Sequence, residues 1–215
     1  MQTTTYTRGE EIANSLTHGA GFLLSVGGLA VLVTFAALHG DAWAVTAGAV
    51  FGATLVLLYA SSTLYHAIHT ARLKQTLRVV DHVAIFFLIA GTYTPFMLVN
   101  LRGPWGWTLF GIIWALAAAG TALKLFFTGR FRIVSTLIYL FMGWMVIIAI
   151  KPLVQALPQS GLIMLIGGGL AYSLGTVFYL WKRLPYHHAV WHLFVLAGSV
   201  CHFFAVFVSI TPRAG

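Results

Sequence analysis

Charge is what this sequence has least of. Of its 215 residues 7% are charged and 60% are hydrophobic, whereas a soluble domain carries about 25% charged residues. A chain so composed cannot cover a water-facing surface, which excludes a soluble globular protein. Acidic residues are the scarcer half, four Asp and Glu against twelve Lys and Arg, leaving a formal net charge of +8. Nucleic-acid binding would gather such basic residues on a soluble face; here they lie in short connections between apolar runs. One cysteine, Cys201, excludes an intrachain disulfide, and its place inside an apolar run reads as a small buried residue. The opening MQTTTYTRGEEIANSLTHG has no apolar core preceded by positive charge, so a cleavable signal peptide is not expected. Internal repeats and low-complexity segments are also lacking.

What is present is hydrophobic length. About 20 apolar residues cross the hydrocarbon of a bilayer. Seven stretches reach that length: Gly19–Leu38, Trp43–Tyr65, Val83–Leu101, Trp105–Leu123, Ile133–Ile150, Gly161–Trp181 and Ala189–Ile210. The joints between them, such as HGD, HTARLKQTLR, TGRFR and WKRLPYHH, are short enough to make neighbours antiparallel. The expectation is an all-α integral membrane bundle of seven transmembrane helices, a single domain over residues 1–215. Small residues in GGLA, AGAVFGA and GGGLAYSLG allow the close helix approach that membrane packing requires.

Orientation follows from Lys and Arg, which are retained on the cytoplasmic side. Arg8, Arg72, Lys74, Arg78, Lys124, Arg130, Arg132, Lys182 and Arg183 fall on one side, and Arg102, Lys151 and Arg213 on the other. The amino terminus is therefore expected in the cytoplasm and the carboxy terminus outside.

The unusual polar residues then sort to one depth. Glu11, Asn14, Thr17 and His18 lead into the first helix, His66 ends the second, Asp81 begins the third, and His188 and His192 begin the seventh. All lie near the cytoplasmic surface, and polar groups at membrane depth are costly unless engaged. His188 and His192 are spaced i, i+4 and share a helix face. Two such imidazoles can bind one metal ion, and His66 would supply a third. Zinc on three protein nitrogens with an open fourth position is a hydrolytic arrangement, in which the pKa of bound water falls to about 7. Asp81 could complete the tetrahedron or serve as general base. Ser62, four residues before His66, could hydrogen-bond the water or Asp81. His187 is turned about 100° from His188 and is the poorer ligand candidate.

Each residue alone also has an ordinary reading. A lone His66 belongs to the headgroup zone, and Asp81 pairs with Arg78 one turn earlier. Glu11 and Asn14 form an amphipathic lead-in on the membrane surface. His202, about 15 Å further along the helix than His192, is a packed histidine bonded to a carbonyl or hydroxyl. His39 and His69 are loop residues, and Trp105 and Trp107 are interfacial anchors.

The string E-x-x-N-x-x-T-H at Glu11 to His18 resembles the entrance to the first helix of the haemolysin III proteins and the progestin and adipoQ receptors. S-x-x-x-H at Ser62 to His66, the Asp of LRVVDH at Asp81, and H-x-x-x-H at His188 to His192 with His202 ten residues on extend the resemblance. It covers about Glu10 to Val208, and the short chain is similar to the bacterial haemolysin III branch. The resemblance implies a zinc ion held by His66, His188 and His192, with Asp81 and Ser62 engaging it directly or through water. Glu11, Asn14, His18 and His202 are supporting polar positions. The wider superfamily includes alkaline ceramidases, so the resemblance also implies a membrane-lipid amide or ester as substrate partner. Three functions stand open: a zinc-dependent lipid hydrolase, a non-catalytic sensor or regulator of membrane state with structural zinc, and a cytolytic pore.

Overall fold

A computed structural model describes residues 6–127 and 131–210. Arg130 and Arg213 of the charge count lie outside them. Among the described residues seven helices are long and apolar enough to span a bilayer: α1 Arg8–His39, α2 Ala42–Ala67, α3 Ala71–Asn100, α4 Pro104–Phe127, α5 Arg132–Ala156, α6 Gln159–Leu180 and α7 His187–Ile210. Several run well past their apolar stretches. Hydropathy marks the part of a helix that can sit in hydrocarbon, whereas the backbone continues for as long as its ends are capped. Thus α1 starts eleven residues before Gly19, because Thr7 and Glu10 form a reciprocal capping box, which satisfies two orphan donors of the first turn. At the start of α2, the Asp41 carboxylate accepts from the N–H groups of Trp43 and Ala44 at 3.0 and 2.9 Å. The polar joint HTARLKQTLR is helical from Ala71 onward, so Asp81 stands nearly three turns inside α3 rather than at its start.

Sequential helices pack as antiparallel neighbours, and α7 closes against α1, α2 and α3. This makes α2, α3 and α7 the interior. In its most apolar window α3 is 67% buried, against 22% for α1 and α6, so the latter spend most of their surface on lipid. Close approach needs glycine at particular points. A Cβ on Gly106, in the first turn of α4, would collide with the backbone carbonyl oxygens of Met97 and Leu101. Carbonyls cannot swing aside as side chains do, so Gly106→Ala should cost the upper part of the roughly 1–3 kcal/mol typical of overpacking. Melting of the purified protein in detergent would show this as a fall of several degrees.

Two helices are irregular where they face one another. Residues Phe96–Asn100 of α3 form a π turn directly after Pro95, whose ring removes a backbone donor. In α5, Met145–Ala149 is a 3₁₀ segment. Tyr93 of α3 manages that break: its hydroxyl accepts from the Val146 N–H and donates toward the carbonyls of Met142 and Gly143, each at 2.8 Å. Helix α5 also touches its neighbours least. Between α3, α5, α6 and α7 a cavity of about 330 Å³ is left, with Asp81 and His18 at one end and Phe96 and Ile150 toward the other. Ile147 of α5 and Ile166 of α6 line it while remaining 58% and 48% exposed. The cavity therefore opens sideways between α5 and α6.

Candidate metal centre

The amino-terminal ends of α1 and α7 and the carboxy-terminal end of α2 meet at one end of the bundle. There His66, His188 and His192 each offer a nitrogen, all within 4.8 Å of one another. Their ring centroids are 4.5 to 5.2 Å apart and all three are buried. The i, i+4 spacing puts two of them on one face of α7. The third comes from α2 because α2 runs antiparallel to α1 and packs with it beside α7.

Whether these rings fit a metal ion can be judged from their other nitrogens. His66 Nδ1 meets the Glu11 carboxylate at 2.6 Å, which fixes Nδ1 as the protonated nitrogen and leaves Nε2 a bare lone pair. His192 Nδ1–H is shared between the Asn14 carbonyl and the Thr17 hydroxyl, both at 3.2 Å, so its Nε2 is also bare. Neither nitrogen of His188 has a protein partner, and Nε2 of all three rings is buried without one. Buried polar atoms are paired in nearly all native structures. Three orphaned imidazole nitrogens within 4.8 Å of one another suit a divalent cation, each ring oriented, where it is tied at all, by a bond from its far nitrogen.

The group around Glu11 extends this pattern. Its other oxygen accepts from Lys74 at 2.9 Å, and Lys74 also donates to the carbonyls of Tyr65 and Ile68 at 2.9 and 3.3 Å. The lysine thereby ties the α2–α3 turn to the residue that orients His66. Carboxylates in such a position typically contribute 10–100-fold in metal affinity. Glu11→Gln should weaken zinc binding by about that factor, measured against a competing chelator, and leave the fold intact.

The structure places the other sequence-predicted residues as follows. Asp81 is buried beside Ser62. It is not in the 4.8 Å group but lines the neighbouring cavity. Its expected pairing with Arg78 is not formed; the closest ionisable nitrogen is His82 Nδ1 at 3.8 Å, itself engaged by the Arg78 carbonyl at 2.6 Å. Ser62 is bonded to His18 Nδ1 at 2.7 Å, and the His18 ring stacks on His192 with centroids 3.4 Å apart and planes 11° off parallel. His18 thus joins the three-histidine group to the cavity wall. Glu11 and Asn14 are not a surface lead-in: Asn14 is fully buried, its amide nitrogen 3.4 Å from His66 Nδ1. His202 stays apart, donating to the Leu165 carbonyl at 3.1 Å, and Cys201 is half-buried rather than buried.

Two further residues carry no sequence signal of this role. The Tyr6 ring lies 5.1 Å from His188 and 5.8 Å from His66, covering the centre from the end of the bundle. Burial, reinforced by neighbouring tyrosines and carboxylates, raises its hydroxyl pKa well above the ordinary value. Tyr186 adopts a left-handed backbone with φ 55° at the entry to α7, a conformation uncommon outside glycine. Its N–H donates to Glu10 at 3.2 Å, which pins the start of α1 against the start of α7.

A seven-helix bundle with a buried three-histidine group that could hold a metal ion, and an apolar side cavity, defines a membrane-embedded class of architecture. The comparisons narrow it. A family profile described as "Haemolysin-III related" matches residues 6–203, and the chain belongs to that family. It is 51% identical to "Hemolysin-3" of Bacillus cereus over 205 residues, 95% of this chain and 94% of the relative. It is also 51% identical to "Hemolysin-3 homolog" of Bacillus subtilis (strain 168) over 201 residues, 94% of each chain. "Monocyte to macrophage differentiation factor" of Homo sapiens is 29% identical over 203 residues, 92% of this chain and 83% of that one. No solved structure matches significantly. With its seven apolar helices and this family, the chain is a multi-pass membrane protein.

Proposed function

We propose that this protein is a zinc-dependent hydrolase of a membrane-lipid amide or ester, with its centre at the cytoplasmic face. The observation that supports this reading most is the conjunction of three orphaned imidazole nitrogens with a buried carboxylate at the head of an apolar cavity. His66, His188 and His192 would hold the ion, which when bound supplies a Lewis acid for the carbonyl and lowers the pKa of water to about 7. Asp81 accepts the proton released as water attacks and returns it to the leaving amine or alcohol. Ser62 sits between Asp81 and His18 and fixes the carboxylate's orientation. The apolar wall takes up the acyl chain and excludes bulk water, and the gap between α5 and α6 admits it from the bilayer. The excess of Lys and Arg at the histidine end supports a cytoplasmic amino terminus, and the Bacillus relatives support a location in the bacterial cytoplasmic membrane.

The test is to incubate purified zinc-loaded protein with N-acyl and O-acyl lipids and follow fatty-acid release by mass spectrometry. Release that stops on chelation and returns with zinc is the expected outcome. No release from any lipid class would remove the hydrolase reading.

A second reading, a sensor or regulator with structural metal, is favoured by a different observation. Tyr6 covers the centre, and none of the three histidines itself lines the cavity. Metal loss that lowers the melting temperature while no lipid is consumed would select it. The name of the Bacillus relatives suggests lysis, but the cavity wall is mostly apolar, which argues against an aqueous pore. Leakage from pure liposomes carrying the protein would revive a pore.

A further inference from the structure

Three cations at the amino-terminal end of the cavity have no part in the chemistry above. Arg78 comes from α3, Arg132 is the first residue of α5, and Lys182 lies between α6 and α7. Arg132 and Lys182 stand beside Tyr179, which itself lines the cavity, and Arg78 lies in the same neighbourhood. The Arg132 guanidinium carbon is 5.7 Å and Lys182 Nζ is 6.0 Å from the Tyr179 ring centroid, and Arg78 is close enough to act electrostatically on both Tyr179 and Lys182. All three are half-buried, whereas Arg72 and Arg183 at the same end of the bundle are exposed.

Among the chain's described residues no carboxylate forms an ion pair with them. Of its four carboxylates, Glu10 caps α1 and takes the Tyr186 N–H, and Glu11 serves His66 and Lys74. Asp41 pairs with Arg102 at the opposite end, and Asp81 lies nearest His82. Among the described residues none comes within 4.0 Å of Arg78, Arg132 or Lys182. Burial, followed by repulsion from Arg132 and Arg78, lowers the Lys182 pKa to about 8. Charges placed merely to orient the chain in the membrane have no need to converge; those beside Tyr179 do so at the head of an acyl-sized cavity.

We propose that Arg78, Arg132 and Lys182 bind the phosphate of an anionic lipid whose acyl chain occupies the adjoining cavity. Two guanidinium forks and an ammonium suit the several oxygens of a phosphate. The apolar volume beside them supplies the affinity that a free anion would lack. This places a phosphate-bearing acyl lipid, rather than a neutral one, as the ligand class of the cavity, and so rests on the reading that a lipid enters it.

Equilibrium binding to the full-length, zinc-loaded protein in neutral detergent tests this. The probes are 1-oleoyl lysophosphatidate, monoolein with the same chain, and inorganic phosphate. Lysophosphatidate should bind at least about ten times more tightly than monoolein, with a preference that weakens in high salt, and inorganic phosphate should not displace it at equal concentration. In the double variant Arg132→Gln, Lys182→Gln the preference should vanish, whereas Arg72→Gln, Arg183→Gln should keep it. Equal binding of the two lipids, a preference that survives the first double variant, or displacement by phosphate alone would each overturn the proposal. The salt dependence needs no variant, so a misfolded mutant cannot shelter the idea. Selective binding without any turnover would sink the hydrolase reading alone, and turnover of neutral lipids without selective binding would sink this one alone.

Discussion

His188→Ala should strip the protein of its metal. Purified wild-type protein, washed free of loosely held ions, is expected to carry about one zinc per chain, and the variant close to none. His188 is the most telling of the three ligands because neither of its nitrogens is used by the protein. Its ring contacts include the apolar faces of Tyr6, Tyr179 and Trp191 beside the imidazoles of His66, His187 and His192. Structural zinc sites bind with about 10–16 kcal/mol, and forfeiting a third of that lowers affinity on the order of a thousandfold. His202→Ala is the matched control, since His202 has its own carbonyl partner and should leave the metal content unchanged. A His188→Ala protein that retained stoichiometric zinc would end the assignment of this centre.

Asp81→Asn should separate metal from chemistry. The amide has the shape of the carboxylate, so the fold and the zinc content should persist, while lipid turnover should fall by about 10²–10⁴, the usual contribution of a positioned general base. Asp81 is suited to this part because it is buried beside Ser62, stands outside the three-histidine group and lines the cavity. Ser62→Ala should have a smaller effect, because Ser62 works by orienting Asp81. Undiminished turnover in Asp81→Asn would assign the base elsewhere, and loss of zinc from that variant would make Asp81 a ligand.

The architecture was legible in the sequence wherever one physical signal dominated. Apolar length marked seven spans, and the i, i+4 histidines marked one face of α7. What escaped was set by tertiary contact. Lys74 read as an orienting charge because its reach back to Glu11 and to two carbonyls of the α2 terminus depends on where α3 begins. That start was hidden, since the first turns of α3 are too polar to register as a span. Glu11 read as a supporting polar position whose partner stayed open, because a carboxylate near a helix start ordinarily serves the helix. Here Glu10 does that, and its neighbour is turned inward by 100° of helical rotation. The stacking of His18 on His192, the cover provided by Tyr6 and the cavity itself follow from which helices adjoin, and no spacing within one chain segment encodes that.

Under the hydrolase reading, the lateral gap between α5 and α6 has a kinetic consequence. An active centre fed from among the acyl chains responds to how crowded its substrate is within the membrane plane, not to how much is suspended in the tube. Thinning the substrate with an inert lipid, at fixed total substrate, would then slow each molecule in step with the falling mole fraction. The organism could throttle such an enzyme through bilayer composition alone.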